Sequence, residues 1–566
     1  MNRLRDQSRS RSGHVAALSL VFLAACLCQP VLTQSQTGSQ TGSRVIGGVL
    51  LNAKTGQPIE EATVTLAETH DRKTLDAVET DAEGRFSFSN LPDGRYALRA
   101  SHRGYIAGAY QQHETGSFTA IVTGDGVDTT DLKFMLAPQC ALYGTISDDF
   151  GDPVSTARIS LYRVDPVSDT GRMMRVNSAS TDGTGFYEVS RLAPGSYYLA
   201  VTGTPWYATR RQIRDARGNL ADNIPRSPLD VAYPVTYYPD VTDAGAASPI
   251  SVSAGDRVQV NLTLHPVPAV HIVVQVPNPG ANQGFSVPQL RQDIFGTFDS
   301  VPMARTTMSP RDFRNPNSEM TVEMNGVPPG QYDVVFNAVN GQPARSMSLD
   351  ASGDRLKLDP SSAVALADLS GKAAMAGGDA LPAGLTLYFT SQQTGERLTT
   401  RLAPDGSFHM QSVHPGAYEV SASAAGFSMA VTHLTATGAT VDRRLLKVGS
   451  EPVTVTAQLA ESIATVSGFA KLDGRPVAGV MLVLAPANPK PGAEDSRINQ
   501  SDSVGSFEFQ HVIAGTYMVV AIQDGWSLDW GRRETMARYL AKGQSVIVPP
   551  HTKEINLKEP VEVQPK

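Results

Sequence analysis

The sequence predicts an all-β protein: a tandem array of about five antiparallel β-sandwich domains. Three observations carry that expectation. A pattern of turns and alternating apolar residues returns at intervals of about 100 residues, as a repeat architecture requires. The 49 glycines and 37 prolines in 566 residues call for many turns, and so for many short strands. No long helical period separates the copies.

The pattern is clearest in TDAEGRFSFSNLPDGRYALRA (80–100). Counting from Gly84, apolar residues stand at Phe86, Phe88, Leu91, Tyr96 and Leu98, with Gly94 two places before the tyrosine. The same register recurs from Gly185 (Tyr187, Val189, Leu192, Gly195, Tyr197, Leu199) and from Gly406 (Phe408, Met410, Val413, Gly416, Tyr418, Val420). It recurs again from Gly505 (Phe507, Phe509, Val512, Gly515, Tyr517, Val519). A fifth copy has Met320 in place of the first glycine and keeps Val322, Met324, Val327, Gly330, Tyr332 and Val334.

Each feature has a mechanical reason. Asp-x-x-Gly between extended segments suits a tight turn, because glycine accepts positive φ without a Cβ clash. Alternation after it buries one strand face and leaves the other wet. Pro-Gly, Asp-Gly or Ala-Gly then makes a second turn, with its glycine expected in the left-handed position. The tyrosine returns the chain to the same core, and its hydroxyl reaches the polar edge. A preceding half-pattern (Gly48, Gly56, Pro58, Ala62, Val64, Leu66) repeats at Gly144, Gly151, Pro153, Ala157, Ile159 and Leu161, and at Gly468, Gly474, Pro476, Val480, Leu482 and Leu484. The resulting division is 1–43 signal and linker, 44–137 first domain, 138–266 second domain with a long aromatic-rich insertion, 267–362 divergent third, 363–460 fourth and 461–566 fifth.

Taken together, Gly-x-x-x-Gly-x-Pro-x-x-x-Ala-x-Val-x-Leu followed by Thr-Asp-x-x-Gly-x-Phe-x-Phe-x-x-Leu-x-x-Gly-x-Tyr resembles the carboxypeptidase regulatory-like domain, a transthyretin-like sandwich. Domains one, two and five carry both halves, domain four lacks the early Gly-x-Pro, and domain three diverges most. The fold is similar to carbohydrate-binding-like domains and to the B-type repeats of collagen adhesins. The resemblance implies an exported bacterial accessory or binding protein rather than a peptidase.

Arg3, Arg5, Arg9 and Arg11 precede the apolar run 15–28, which is short for a membrane span and reads as an export signal. Two cleavage sites fit. LAAC (23–26) resembles a lipobox with Cys26 as the lipidated residue, and ordinary cleavage near Thr33 would leave Cys140 alone in the mature chain. The expected location is the periplasm, the outer-membrane surface or the exterior, with contact to the membrane only through such a lipid anchor. A net charge of −7 and the lack of a basic stripe argue against nucleic acid as a partner.

No catalytic constellation stands out, and the chain is expected to be no enzyme, with no cofactor and no metal. His551 and Glu554 have zinc-ligand spacing but open a terminal strand after Pro549–Pro550, so a polar turn is the expectation. SDDFGD (147–152) lacks the spacing of a calcium loop. Candidate ligand-binding residues are the aromatics after the tyrosine strand: Trp206, Tyr207, Tyr237 and Tyr238 in the second domain, Trp526 and Trp530 in the fifth. They admit two readings. As platforms they would stack on the sugar rings of a polysaccharide or other cell-envelope component. As plugs they would close the ends of their own sandwiches, and the chain would be a spacer or assembly partner at the outer membrane.

Overall fold

The computed structural model describes residues 44–69, 73–114, 116–165, 172–208, 227–277, 287–301, 305–308, 319–338, 343–424, 427–461, 464–487, 496–550 and 552–566. Five principal hydrophobic cores follow one another along them, within 46–136, 140–264, 270–358, 367–459 and 464–563. Each is the interior of a sandwich. In the first, one sheet orders Arg85–Leu91, Arg44–Asn52 and Leu132–Leu136; the other orders Thr74–Glu79, Thr63–Glu68, Gly94–Ser101 and Gly108–Ala109, with Ile121–Thr123 also on Gly94–Ser101.

Pairing is antiparallel apart from one parallel pair that recurs in every sandwich and, in the fifth, the pair of Val561–Gln564 with Gly515–Ile522. The closing strand Leu132–Leu136 runs parallel to the opening strand Arg44–Asn52, and the same parallel pair recurs in the other four sandwiches. It explains Gly48 and Gly144, which open the half-pattern in the first two domains, and Gly371 in the fourth; a Cβ on Gly468 of the fifth would instead meet the Phe507 ring at 2.9 Å. A Cβ on Gly48 would lie 2.1 Å from Leu132 O, on Gly144 1.9 Å from Val260 O, and on Gly371 2.2 Å from Val455 O. At those three positions only glycine lets the last strand lie so close, whereas the third domain forms the parallel pair without a glycine in its opening strand.

The signature forms the hinge between the two sheets. Gly84, Gly185, Gly406 and Gly505 have φ of +73° to +82°, as the Asp-x-x-Gly turn requires. In three domains a buried hydroxyl clamps this turn to the earlier Gly-x-Pro loop. Thr80 Oγ1 donates to Ile59 O and accepts from Ala62 N, Thr181 does the same between Val154 O and Ala157 N, and Ser501 between Val477 O and Val480 N. Domain four has Leu402 at this place and also lacks the Gly-x-Pro that the hydroxyl would hold.

The second turn differs from the sequence expectation. Gly94, Gly416 and Gly515 do not have positive φ; Gly195 and Gly330 do, at +151° and +154°, a conformation that other residues rarely adopt, although it lies outside the left-handed helical well. The left-handed residue lies four places earlier: Asn90, Arg191, Gly326, Ser412 and His511 have φ between +58° and +71°. Each sits where the register slips by one residue against the opening strand, a β-bulge that turns the chain towards the other sheet. In the first and fifth domains the glycine serves the tyrosine instead. A Cβ on Gly94 would lie 3.3 Å from the Tyr96 hydroxyl, and one on Gly515 3.2 Å from the Tyr517 ring.

With the ring thus laid against the backbone, its hydroxyl donates to the carbonyl four residues back in all five domains. Tyr96 reaches Pro92 O at 2.9 Å, Tyr197 Ala193 O at 2.6 Å, Tyr332 Pro328 O at 2.6 Å, Tyr418 His414 O at 2.8 Å and Tyr517 Ile513 O at 2.8 Å. The five rings are buried, as are Leu98, Leu199, Val334, Val420 and Val519 two places on.

Three faces outside these cores are also covered, the smallest where Leu366 packs on Val335 and Ala344. In the fifth domain Met481, Val483, Val520 and Ile522 point away from the sandwich and are capped by Trp530, Met536 and Tyr539 from the segment that contains the helix Arg533–Leu540. In the second, Tyr162 and Ala200 are capped by Val235 and Tyr237 of the insertion and by Ile294 of the third domain.

Tyr332→Phe should cost about 1 kcal/mol, because the Pro328 carbonyl loses its donor while the ring stays, whereas Tyr332→Ala should cost about 3–5 kcal/mol through the cavity it leaves. Hydrogen exchange of the Gly330–Phe336 amides in the full chain checks both.

Candidate functional site

The six candidate aromatics fall into three environments. Trp206 is 73% exposed, and its ring meets that of Tyr207 edge-on at 5.8 Å between centroids. Tyr207 in turn lies beside Tyr233, a buried phenol whose pKa is pushed up by burial and then by Tyr207. Here the insertion plugs one end of the second sandwich with Tyr233 and leaves Trp206 in water. Arg210 and Arg211, the cations expected beside it, lie outside the described residues.

Tyr237 faces the third domain. Phe295 inserts its ring between Tyr162, Tyr198 and Tyr237, at centroid distances of 5.2, 5.7 and 4.9 Å, all edge-on. Burial raises the Tyr237 phenol above its ordinary value and pushes Tyr162 up to about 12. Tyr238 is half-buried and packs on the core of its own domain. Beside this aromatic knot Arg175 Nη1 meets Asp299 Oδ2 at 2.5 Å, so the joint between domains two and three is apolar at its centre and charged at its rim.

Trp530 is 5% exposed and belongs to the cap on the outer face of the fifth domain. Its buried indole N–H has no hydrogen-bond partner among the described residues. Trp526 lies flat against His113 of the first domain, with ring centroids 4.7 Å apart and planes at 5°, and its Nε1 donates to Gly479 O at 3.2 Å.

That stack belongs to a wider contact between the first and last domains. The Ser501–Asp502–Ser503 turn of the fifth signature docks on the Ala120–Val122 edge: Ser503 N donates to Ala120 O at 3.0 Å and Val122 N to Ser503 Oγ at 2.9 Å. Gln500 Nε2 donates to Gln111 O at 2.8 Å and to Thr119 Oγ1 at 2.7 Å, while its Oε1 faces His113 Nδ1 at 3.0 Å. Arg95 lies 3.1 Å from both Asp502 Oδ2 and Glu508 Oε2. Lys54–Asp256 joins domains one and two at 2.9 Å, Arg291–Glu396 joins three and four at 3.4 Å, and Arg172 Nη1 donates to Gly395 O between two and four at 2.8 Å.

Sequence reasoning missed this contact. Its partners are nearly 400 residues apart, and nothing local marks Gln111, His113 or Gln500. A partial signal existed for the covered faces: MLVLAP (481–486) and YMVVAI (517–522) are continuous apolar runs, which read as strands buried on both faces.

Among the described residues no three His, Cys, Asp or Glu side chains converge as a metal site. Asp148, in the stretch weighed for calcium, is buried and accepts from Phe150 N and Asp152 N within its own turn. His551 and Cys26 lie outside the described residues. Cys140 is a buried thiol that donates to Ser253 O at 3.0 Å. No helix among the described residues is long and apolar enough to cross a membrane.

The comparisons with known proteins bear on the unit rather than the whole. Residues 45–135 match the carboxypeptidase regulatory-like domain. The regulatory-like match thus covers the first sandwich, from its opening strand to its parallel closing strand. Residues 368–451, in the fourth sandwich, match the second β-sandwich domain of BOS complex subunit NOMO1-like proteins. No curated protein matches the chain. Among solved structures, the Bacillus anthracis TIE protein aligns over 94% of this chain and 75% of its own at 9% identity and a TM-score of 0.17. GBS52, the minor pilin of Streptococcus agalactiae, aligns over 40% of this chain and 97% of its own at 16% identity and a TM-score of 0.19. The shaft pilin SpaA of Lactobacillus rhamnosus GG aligns over 40% and 96% at 8% identity and a TM-score of 0.19.

Full-length variants retaining one tryptophan each should separate the three environments by acrylamide quenching. Trp206 should quench nearly as free indole does and Trp530 hardly at all. Trp526 should be protected until His113→Ala removes the ring that covers it.

Proposed function

We propose that this is an exported, non-catalytic multidomain protein whose sandwiches form a stiff scaffold or spacer in the cell envelope. The carrying observation is the use made of its loop aromatics. Tyr237 is covered by Phe295 of the next domain, Trp526 is stacked on His113 of the first, and Trp530 caps its own sheet. Rings placed so are spent on holding domains rather than on a ligand. Contacts between domains far apart in sequence close the chain on itself, which a string of beads would not do. The regulatory-like match supports an accessory module, and the basic and apolar stretch before residue 33 supports export.

A second reading rests on Trp206 alone. At 73% exposure beside Tyr207, it is a flat apolar surface available to a sugar ring of a polysaccharide. Binding through one ring would be weak.

Small-angle scattering tests the scaffold reading. Arg95→Ala combined with Trp526→Ala should release the fifth domain from the first and raise the radius of gyration, while circular dichroism stays unchanged; unchanged dimensions would count against it. Soluble polysaccharides should shift the emission of a variant retaining only Trp206 if the second reading holds, and a flat response across a broad panel removes that reading.

A further inference from the structure

The second domain's insertion meets the third sandwich at a histidine. Val231–Ala232 of the insertion pairs antiparallel with Val267–Pro268, and Ala269 N donates to Asp230 O at 3.0 Å. Immediately after this two-stranded joint comes His271, in the opening strand Val270–Pro277 of the third domain. Its Nε2 lies 2.6 Å from Asp230 Oδ2 and its Nδ1 2.5 Å from Asn325 Oδ1. One ring therefore ties the insertion of one domain to two strands of the next.

Both ring nitrogens face oxygen, so the doubly protonated imidazolium satisfies both contacts. Turning the Asn325 amide over would restore one hydrogen bond to the neutral ring, but not the positive charge facing Asp230. Glu323, on the Glu319–Val327 strand, is buried and pairs with Arg355 at 3.8 Å. Arg355 opens the parallel strand Arg355–Leu358, and the carbonyl of Asp354 just before it accepts from His271 N at 2.9 Å. Among the described residues, the carboxylates of Asp230 and Glu323 act on the ring, and the buried setting strengthens their pull.

We propose that His271 is a pH-operated clasp between the second domain's insertion and the third sandwich, closed while the ring is protonated and loosened when it is not. The hydrogen bond to Asp230 raises the His271 pKa above its ordinary value, against the opposing effect of desolvation. The sign follows from linkage. A raised pKa in the folded protein means that the stabilisation is fully present below the ordinary value, about 6.5, and is lost as pH rises through the raised one. The joint tightens in mild acid and relaxes towards alkaline pH, a range in which histidine alone among unperturbed side chains titrates.

Hydrogen exchange on the full chain, corrected for the intrinsic pH dependence of amide exchange, tests this. Protection of the Ala232 and Ala269 amides should fall about tenfold between pH 6 and 8.5. His271→Gln should give low protection that no longer follows pH, and Asp230→Asn, which keeps the shape of the site, should do the same. His414→Gln, at the joint between domains three and four, should retain the wild-type profile. A flat wild-type profile, or a pH response that survives in either His271→Gln or Asp230→Asn, overturns the proposal.

Discussion

In every one of the five sandwiches a buried tyrosine donates its hydroxyl to the carbonyl four residues earlier, and the geometry of the unit is arranged to permit that bond. The chain must leave one sheet and enter the other within a few residues, and the carbonyls on such a corner point into the core. A carbonyl left there without a donor would cost about 1–3 kcal/mol. The tyrosine meets that need and fills the space beneath it. Two further requirements follow. In the first and last domains the ring lies so close to the backbone that the residue two places earlier has to be glycine, and in the second and third that residue has a positive φ that favours glycine. The strand before it has to bend, so one residue takes left-handed φ in a bulge, a place that Asn90, Arg191, Ser412 and His511 all fill.

The rest of each sandwich is coupled to this corner. The turn at Gly84 and its counterparts packs on the Gly-x-Pro loop, and a buried Thr or Ser hydroxyl bonds the loop at two points. The two halves of the sequence pattern, some twenty residues apart, are in this way one structural element. Domain four shows the coupling by its loss, since it lacks the proline and the hydroxyl together.

Covered outer faces convert separate sandwiches into a connected structure. The strands with apolar residues on both faces are those that meet something: the helical segment in the fifth domain, and Tyr237 with Ile294 in the second. The first and last domains meet through a different kind of surface, with amide side chains, an arginine between two carboxylates and one stacked pair of rings. Such a polar contact holds an orientation without a large apolar area. Histidines take part at three joints between domains, through His113, His271 and His414, although their positions in the sequence show no pattern.

How much was legible in advance depended on the range of the interaction. The glycines, the alternating residues and the tyrosines act within about 20 residues, so they repeat visibly and predict the fold, including which side chains point inward. The reading of the glycine before the tyrosine failed in the first and fifth domains because a turn glycine is usually assigned to a backbone angle, whereas there it makes room for a ring. The aromatics could be located by sequence but not interpreted, because exposure depends on what covers a residue. Trp206 and Trp526 occupy equivalent places in their domains, yet one stands in water and the other lies against a histidine more than 400 residues away. The sequence by itself determined the repeating sandwich and its tyrosine corner, because short-range sterics and burial write themselves into local pattern. Only the tertiary structure decided which rings hold domains together and which histidine faces an aspartate, because those pairings arise from the mutual placement of separately folded units.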